Sequence, residues 1–244
     1  MADRPGRIIL TNDDGIDAPG LGALRAASEH LPDRHVYAPL DPQSGCGHRV
    51  TTHATIREVE RPGGQVAVDG TPADCVRVAI HRLGAEEIGW VLSGVNAGGN
   101  LGTDVYHSGT VAAVREAAMR GIPGIAVSHY IARGRTLDWD QAARWTSRVL
   151  QTLMSRPHRP GTFWAVNLPH PAPDAPEPDL VFCPLDPNPL PLGFRADEGG
   201  LRYFAEYQSR LRDPGADVAV CFGGQIAVCL VPVMASVWPI DANS

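Results

Sequence analysis

The sequence predicts an α/β protein with a doubly wound, mostly parallel sheet. Strand-like and helix-like patterns alternate along the first two-thirds of the chain, which is the order that such a sheet requires. Several strand-like runs are short and wholly apolar, as buried strands are. Polar or glycine-rich loops follow or lie close after these runs. A chain of 244 residues is long enough for one large α/β domain, alone or with a smaller appendage.

The strands and helices can be placed in order from hydrophobic periodicity. Five strands are predicted at residues 7–12, 36–39, 90–93, 125–128 and 163–167. Four helices are predicted at residues 19–31, 71–83, 108–120 and 137–153. Thr71, Pro72 and Asp74 support the second helix, because Thr can cap it, Pro suits a first turn and Asp completes a box-like pattern. A hairpin is predicted at residues 51–60 and 65–68, with Gly63 and Gly64 in its turn.

The amino-acid pattern changes after residue 168. Nine prolines lie between residues 169 and 191, which makes that segment a poor helix and a poor central strand. Beyond it, residues 203–207, 217–220 and 226–231 alternate like strands. We therefore predict an α/β core at residues 1–168 and a C-terminal extension at residues 169–244 that contains an extended β-hairpin or arm. We expect the extension to complete the core and to pack on it or on a neighbouring subunit.

Composition restricts the partners and the location of the protein. The net charge of −6 and the pI near 5.8 give no support for binding to a nucleic-acid polymer or to an anionic membrane. Five cysteines occur without a Cys-x-x-Cys pair, which favours a reducing compartment over a disulfide framework or a zinc ribbon. The chain begins without an apolar leader, and no stretch approaches the ~20 apolar residues of a membrane span. We expect a cytoplasmic protein.

The absence of lysine excludes several kinds of enzyme. All 21 basic residues are arginine, so the chain has no lysine for a Walker A loop, a Schiff base or a general base. A phospho-acceptor receiver also needs a lysine beside its acidic pair. No Gly-x-Gly-x-x-Gly follows the first predicted strand, and no Gly-x-Ser-x-Gly surrounds a serine. A dinucleotide-binding fold of the usual kind and an α/β-hydrolase are therefore disfavoured.

Four polar loops are the candidates for chemistry. They are Asn12-Asp13-Asp14-Gly15, Pro42-Gln43-Ser44-Gly45, residues 93–100 and Ser108-Gly109-Thr110. In a doubly wound sheet such loops converge on one edge, where ligands bind. Adjacent carboxylates repel each other and favour a cation between them, and a hard divalent ion takes oxygen ligands of this kind. The combination predicts a cation site beside a phosphate site.

Each of these residues also has an ordinary structural interpretation. The alternatives are a turn at Asp14, a loop hydroxyl at Ser44, turn formers at Asn96 and Asn100, and an N-cap at Ser108. Agreement among the four loops favours the site over these separate explanations.

Other polar residues near the loops give weaker signals. His48, His53 and His107 lie near the loops without His-x-x-x-His spacing, and no catalytic role is predicted for them. Glu116 and Arg120 are four residues apart on the third predicted helix, where they could form an exposed ion pair.

Taken in order, these loops resemble the SurE family (survival protein E) of metal-dependent nucleotidases. The opening signature is residues 9–16, Ile-Leu-Thr-Asn-Asp-Asp-Gly-Ile, followed by Ala18-Pro19-Gly20. The later blocks are Gln43-Ser44-Gly45, residues 70–76, residues 93–102 and residues 108–117. The resemblance is close over residues 7–128 and looser to residue 168. In the C-terminal third it is limited to Asp217 and residues 224–226.

The resemblance implies a Rossmann-like fold whose C-terminal extension serves to form a homodimer or homotetramer. It implies one Mg²⁺ or Mn²⁺ ion per subunit, held by Asp13, Asp14, Ser44 and Asn96. It implies hydrolysis of nucleoside 5′- and 3′-monophosphates, with short polyphosphate as a further substrate. Catalysis is assigned to Asp13 and Asp14. The predicted substrate- and phosphate-binding residues are Asn12, Gly45, Asn96, Asn100, Ser108, Gly109 and Thr110.

The loop chemistry suggests a mechanism. The cation would lower the pKa of an attacking water, and either carboxylate could orient or deprotonate that water. Amide groups and the helix start at residue 108 would bind the phosphoryl oxygens. The alternative function is a non-catalytic module that binds a metal ion and a nucleotide. Measuring phosphate release with and without EDTA distinguishes the two functions.

Overall fold

A computed structural model describes residues 6–172, 174–204 and 206–234 of the chain. Strands and helices alternate in its first part. They are β1 (Arg7–Thr11), α1 (Pro19–Ala27), β2 (Arg34–Pro39), β3 (Glu58–Arg61), β4 (Gln65–Val68), α2 (Pro72–Leu83), β5 (Ile88–Ala97), α3 (Gly109–Met119), β6 (Gly124–His129), α4 (Trp139–Met154) and β7 (Thr162–Leu168). The later elements are β8 (Leu180–Phe182), β9 (Phe194–Asp197), β10 (Gly200–Tyr203), α5 (Asp217–Phe222) and β11 (Ile226–Pro232).

Nine of these strands form one sheet in the order β3-β4-β2-β1-β5-β6-β7-β11-β8. The six strands from β4 to β7 in this order are parallel, whereas β3 and β11 run antiparallel to β4 and β7. The chain winds from β1 to β2 on one side and later continues from β5 on the other side. The direction of winding therefore reverses between β1 and β5, and such a point opens a crevice outside the carboxyl ends of the strands. The prediction of a doubly wound, mostly parallel sheet is confirmed.

Two apolar layers hold this sheet between helices. Helices α1 and α4 pack on one face, and α2 and α3 pack on the other. Successive side chains of β1 divide between the two layers, as a strand requires: Ile8 and Leu10 join the α1 and α4 layer, and Ile9 joins the other. Burial on both faces fixes the carboxyl end of β1, from which the first polar loop starts.

Local sequence explains where the second and third helices begin. The Thr71 hydroxyl accepts a hydrogen bond from Asp74 N across 3.2 Å, and Asp74 Oδ2 accepts one from Thr71 N across 3.1 Å. This reciprocal pair is the predicted capping box of α2. At α3, the Ser108 hydroxyl accepts a hydrogen bond from Val111 N across 3.1 Å. Ser108 is therefore an N-cap, as one interpretation of the sequence suggested.

Three regions predicted as strands differ in the structure. Residues 217–220 lie in helix α5, whose buried residues are Asp217, Val218 and Cys221. The apolar pair Val218 and Cys221 is three residues apart, which is a helical spacing and not the alternation of a strand. Residues 51–57 form a loop, and Thr51 N donates to the side chain of Asp74 instead of to a neighbouring strand. Of the described residues within 203–207, only Tyr203 belongs to a strand, at the end of β10.

The region after β7 has two parts. Strands β8 and β11 extend the central sheet, whereas β9 and β10 pair with each other in a separate hairpin. We call residues 189–204, which include this hairpin, the arm. The predicted core begins at residue 1 and the predicted extension ends at residue 244. Residues 1–5, 173, 205 and 235–244 of these two regions lie outside the described residues. Within the described ranges, no helix is long and apolar enough to cross a membrane.

Candidate active site

A cleft of about 330 Å³ lies at the carboxyl ends of β1 and β5, where the winding of the sheet reverses. We call it the aspartate cleft. Its walls come from the loops after β1, β2 and β5, from the N-cap of α3 and from two residues of the C-terminal region. The lining residues are Asp13, Asp14, Ser44, Gly45, Asn96, Ala97, Gly99, Asn100, Asp104, His107, Ser108, Leu190 and Tyr207.

Asp13 is a buried carboxylate of this cleft, with 4% of its surface exposed. Thr110, in the first turn of α3, donates its hydroxyl proton to Asp13 Oδ1 across 2.5 Å. Gly109 allows this close approach, because a Cβ on Gly109 would lie 2.8 Å from Asp13 Cβ. Burial raises the pKa of Asp13, and the neighbouring charge of Asp14 adds to the rise, while the Thr110 hydrogen bond opposes it. A positive charge in the cleft would therefore stabilise the ionised form of Asp13.

Backbone contacts tie the loop of Asp13 and Asp14 to its neighbours. Asp14 Oδ2 accepts a hydrogen bond from Ala97 N across 3.4 Å, which joins this loop to the end of β5. Gln43 N donates to Asp13 O across 2.7 Å, which joins it to the loop after β2. These two hydrogen bonds connect the loops that follow three neighbouring strands of the sheet.

Asn12 closes the turn that carries the two aspartates. Its side-chain nitrogen donates to Gly15 O across 2.8 Å. The side-chain oxygen of Asn12 is buried and has no hydrogen-bond partner among the described residues. An unpartnered buried oxygen beside two carboxylates adds to the electron-rich character of this end of β1.

The two asparagines of the β5 loop have their side-chain nitrogens occupied. Asn96 Nδ2 donates to Gly98 O across 2.8 Å, and Asn100 Nδ2 donates to Ser128 Oγ across 2.7 Å. The backbone of Asn100 also exchanges hydrogen bonds with the side chain of Asn167, at 2.8 and 3.0 Å. These bonds fix the loop and leave the side-chain oxygen of Asn96 as a candidate ligand for a cation.

The loop of Ser44 is held from both of its sides. Ser44 and Gly45 are exposed at the rim of the cleft. Gly47 N donates to His107 O across 3.2 Å, which links the loop to the residues before α3. His48 Nε2 lies 3.0 Å from Glu116 Oε2, which links it to the middle of α3.

Glu116 corrects one expectation from the sequence. Its contact with Arg120 is present at 2.8 Å, but Glu116 is only 5% exposed and is not part of an ordinary surface pair. Burial alone would raise the pKa of Glu116, but hydrogen bonds from His48 and Arg120 outweigh burial and lower it. Glu116 therefore acts as an anchor for the Ser44 loop.

The structure brings most of the predicted site residues together. Those that line the aspartate cleft are Asp13, Asp14, Ser44, Gly45, Asn96, Asn100 and Ser108. Asn12, Gly109 and Thr110 lie behind Asp13 and contact it or its turn instead of lining the cleft. Their contacts fit residues that position Asp13.

Sequence reasoning missed Asp104 and Tyr207. Tyr207 donates its hydroxyl proton to Asp104 Oδ2 across 2.7 Å, and the buried Arg210 donates to the same oxygen across 2.7 Å. Burial and the charge of Asp104 both raise the pKa of Tyr207 well above its ordinary value. Asp104 lies close before the predicted Ser108 loop and could have been found there. No pattern near Tyr207 in the sequence predicts its role, because it lies 103 positions from Asp104 and only the fold brings the two together.

The charge of the cleft limits what it can bind. Asp13, Asp14 and Asp104 line it, and none of the described residues lining it is an arginine. Within the described ranges, no three His, Cys, Asp or Glu side chains are placed to hold a metal ion together. A cation beside Asp13 and Asp14 would need neutral oxygen ligands, and Ser44 and Asn96 offer them. Such an all-oxygen set fits Mg²⁺ or Mn²⁺.

Comparison with known proteins decides the family. A family profile described as "Survival protein SurE" matches residues 8–185, which is more than half of the chain. The chain belongs to the SurE family. The resemblance seen in the polar loops is thereby confirmed.

The relatives of this chain align with between two thirds and nine tenths of its length. A putative 5′-nucleotidase of Nostoc sp. is 54% identical over 221 residues, which span 91% of this chain and 97% of that protein. A protein named 5′-nucleotidase SurE, from Geobacter sulfurreducens, is 44% identical over 162 residues, which span 66% of this chain and 62% of that protein. The crystal structure of a SurE protein from Aquifex aeolicus matches with a TM-score of 0.80 and 27% identity, over 94% of each chain. The shared SurE fold therefore extends beyond residue 185.

Proposed function

We propose that this protein is a divalent-metal-dependent phosphomonoesterase that hydrolyses nucleoside 5′- and 3′-monophosphates to nucleoside and phosphate. The observation that carries the proposal is the charge of the aspartate cleft. Three aspartates line it without an arginine among the described lining residues, so a phosphate dianion needs a bound cation to enter. The relatives named 5′-nucleotidase support the substrate class.

Asp13, Asp14, Ser44 and Asn96 would hold the cation. When bound, a divalent ion supplies positive charge to the phosphoryl group and lowers the pKa of a nearby water. The protein supplies the remaining positive field through the N-terminus of α3, whose first turn faces Asp13 and whose N-cap Ser108 lines the cleft. Phosphoryl transfer depends mainly on position and charge stabilisation, so a site without lysine is adequate.

We assign different tasks to the two adjacent aspartates. Asp13 is buried and accepts a hydrogen bond from the Thr110 hydroxyl, so we assign it to binding the cation. Asp14 is only half-buried, and its one hydrogen bond within the described part of the chain, from Ala97 N, is 3.4 Å long. Asp14 is therefore the carboxylate that is free to orient the attacking water toward phosphorus.

The first test compares phosphate release before and after metal removal. We expect Mn²⁺- or Mg²⁺-loaded protein to release phosphate from adenosine 5′-monophosphate, EDTA to stop it, and added metal to restore it. Asp14→Asn should lower kcat by at least about 100-fold with an unchanged circular dichroism spectrum. Asp17→Asn is the matched control, because Asp17 is exposed and does not line the cleft, and its rate should equal wild type. Full activity in EDTA, or wild-type turnover by Asp14→Asn, would refute the proposal.

The same experiment separates an enzyme from a non-catalytic metal- and nucleotide-binding module. Such a module would bind the nucleotide in a metal-dependent way and release no phosphate. A panel of 5′- and 3′-monophosphates, together with short polyphosphate, defines the substrate range of the enzyme.

We further propose that the protein works in the cytoplasm as a homodimer or homotetramer. All five cysteines are free thiols, which suits a reducing compartment. The arm exposes large apolar side chains, including Leu201 at 73% and Phe194 at 55%, which suit contact with another subunit. Light scattering measures the assembly directly, and a monomer at working concentration would contradict the proposal.

A further inference from the structure

A second cavity adjoins the aspartate cleft on the side of the arm. It has a volume of about 490 Å³, and we call it the arm cavity. It shares three lining residues with the aspartate cleft, namely Asp104, His107 and Leu190. The two cavities are therefore neighbours with a common wall, and one extended ligand can occupy both.

The two cavities differ in chemistry. The arm contributes Pro189, Leu190, Leu192 and Tyr203 to the arm cavity, which gives it apolar and aromatic walls. Tyr203 is fixed there by its hydroxyl, which donates to Pro191 O across 3.2 Å. Leu192 is 85% exposed, so a ligand in the cavity would cover apolar surface that now faces solvent. An acidic, polar cleft beside an apolar cavity suits a phosphate ester with a large organic part.

His107 lies on the boundary between the two cavities and is fixed there by its backbone. Its N–H donates to Asp104 O across 3.0 Å, and its carbonyl accepts from Gly47 N across 3.2 Å. The boundary is where the bridging oxygen of the ester lies when phosphate fills one cavity and the organic part fills the other. His107 lines both cavities.

His107 is also the side chain best suited to give up a proton at this boundary. The other ionisable groups described along the two cavities are aspartates and tyrosines. Asp104 accepts hydrogen bonds from both Tyr207 and Arg210, so the Tyr207 hydroxyl already donates its hydrogen to Asp104. Histidine is the side chain that most often transfers protons as a general acid or base in enzymes.

We infer that the arm cavity receives the nucleoside part of the substrate, and that His107 donates the proton that the leaving oxygen needs. The inference rests on the proposed function. Water adds to phosphorus as the bond from phosphorus to the ester oxygen breaks, and the electron pair of that bond stays on the ester oxygen. A ring nitrogen of protonated His107 gives its proton to this oxygen, which makes the free nucleoside hydroxyl. The proton lost by the attacking water passes to solvent, from which His107 is protonated again.

The test of His107 uses leaving groups of different acidity. We expect His107→Gln to lower kcat for adenosine 5′-monophosphate by about 100-fold, because an alkoxide is a poor leaving group without a proton. The rate with p-nitrophenyl phosphate should change by less than about 3-fold, because nitrophenolate leaves without one. His53→Gln is the matched control, since His53 is exposed and lines neither cavity. Equal losses with both substrates would overturn the role of His107 as proton donor.

The test of the arm cavity uses substrates with different organic parts. We expect Leu192→Asp to raise KM for adenosine 5′-monophosphate by about 10-fold and to leave KM for glycerol 2-phosphate unchanged, because glycerol does not fill the cavity. Leu211→Asp is the matched control, because Leu211 is 73% exposed and lies outside the cavity. Light scattering on each variant checks that assembly is unchanged. An equal effect on both substrates, or a change of oligomer that accounts for the effect, would overturn the assignment.

A third cavity, of about 270 Å³, is the competing place for the nucleoside. It is lined by Tyr130, Ile131 and Tyr207 among others, and it shares only Gly99 and Tyr207 with the aspartate cleft. A selective rise in KM for the nucleotide with Ile131→Asp, and none with Leu192→Asp, would place the nucleoside there instead. These outcomes differ from failure of the proposed function, in which the wild-type protein itself releases no phosphate.

Discussion

Asp13 is a carboxylate in an environment that opposes its charge. It is 4% exposed, and Asp14 is its neighbour, so burial and repulsion both raise its pKa. The hydroxyl of Thr110 compensates for only part of this cost. A residue of this kind lowers the stability of the metal-free fold and gains from a cation, which is a common conflict between stability and function at active sites.

Asp13→Asn should separate these two effects. The amide keeps the shape and can still accept the proton of Thr110, but it removes the buried negative charge. We expect the Tm in EDTA to equal or exceed that of wild type, while activity falls by at least about 100-fold. Mn²⁺ should raise the Tm of wild type, because a ligand that binds the native state stabilises that state. It should leave the Tm of the variant unchanged, because the variant lacks the carboxylate that binds the ion. Thermal unfolding with and without Mn²⁺ measures both, and a metal-dependent rise in the variant would contradict the role of Asp13.

Single residues of the site differ in how visible they are in the sequence. Asp13 and Asp14 could be predicted because two adjacent carboxylates directly follow a buried strand, and Ser44 and Asn96 because their loops follow strands of the same sheet. The roles assigned to all four remain predictions. Tyr207 could not be predicted, because its place beside Asp104 depends on how the arm and the region around it fold back on the sheet.

At the scale of elements, the start of α3 does most to shape the site. Ser108 caps the helix and lines the cleft, Gly109 makes room for Asp13, and Thr110 donates to it. Three successive residues thus perform three different tasks. The partial positive charge at the N-terminus of α3 acts over a short distance, so it reaches the cleft only because the first turn approaches the β1 loop this closely.

Gly109→Ala tests that approach. A Cβ at this position would lie 2.8 Å from Asp13 Cβ, so the helix or the aspartate must move. We expect a loss of about 1–3 kcal/mol in the free energy of unfolding and a large loss of activity. Gly22→Ala, in α1, is the matched control, because a Cβ there meets nothing within 4 Å. That change should stabilise the protein by about 0.5–1 kcal/mol and preserve activity, as measured by urea unfolding and phosphate release. A Gly109→Ala variant as stable and active as wild type would show that the close approach is unimportant.

Elements with strong local signals could be placed from the sequence, and elements without them could not. Helix α2 has a capping box, a first-turn proline and one apolar face, so its bounds Pro72–Leu83 follow from residues near in sequence. Helix α5 has only six residues, and its alternating valines resemble a strand. Its conformation depends on Asp217 being buried against residues far away in the chain, which no local pattern records.

For the whole molecule, Asp217 joins the C-terminal region to the cleft. Its carboxylate accepts hydrogen bonds from Gly102 N at 2.7 Å and from Asp186 N and Val218 N at 2.8 Å each. Gly102 has φ of +55° and no room for a Cβ, which would lie 2.6 Å from Asp186 O. Asp217 therefore connects the loop that precedes α3 to the segment that precedes the arm.

Asp217→Asn should weaken this connection between the two segments. An amide accepts through one oxygen and presents an N–H₂ group to a backbone donor, which leaves at least one buried N–H without a partner at about 1–3 kcal/mol. We expect lower stability in urea, faster proteolysis between residues 184 and 217, and reduced phosphate release because Tyr207 and Leu190 no longer close the cleft. Asp213→Asn is the control, since Asp213 is exposed and its side chain accepts a hydrogen bond from Asn188. Equal protease resistance in both variants would contradict the proposed role of Asp217 in connecting the two segments.

The position of β11 between β7 and β8 has a consequence for synthesis of the protein on the ribosome. Until residues 226–232 have been translated, the edge of β7 has no partner on that side, and Tyr207 cannot be held by the finished C-terminal region. At ordinary elongation rates this interval lasts on the order of several seconds. During that time the nascent chain carries an open strand edge, which is a site for aggregation. A truncated chain that lacks β11 would therefore be a substrate for chaperones before it could be an enzyme.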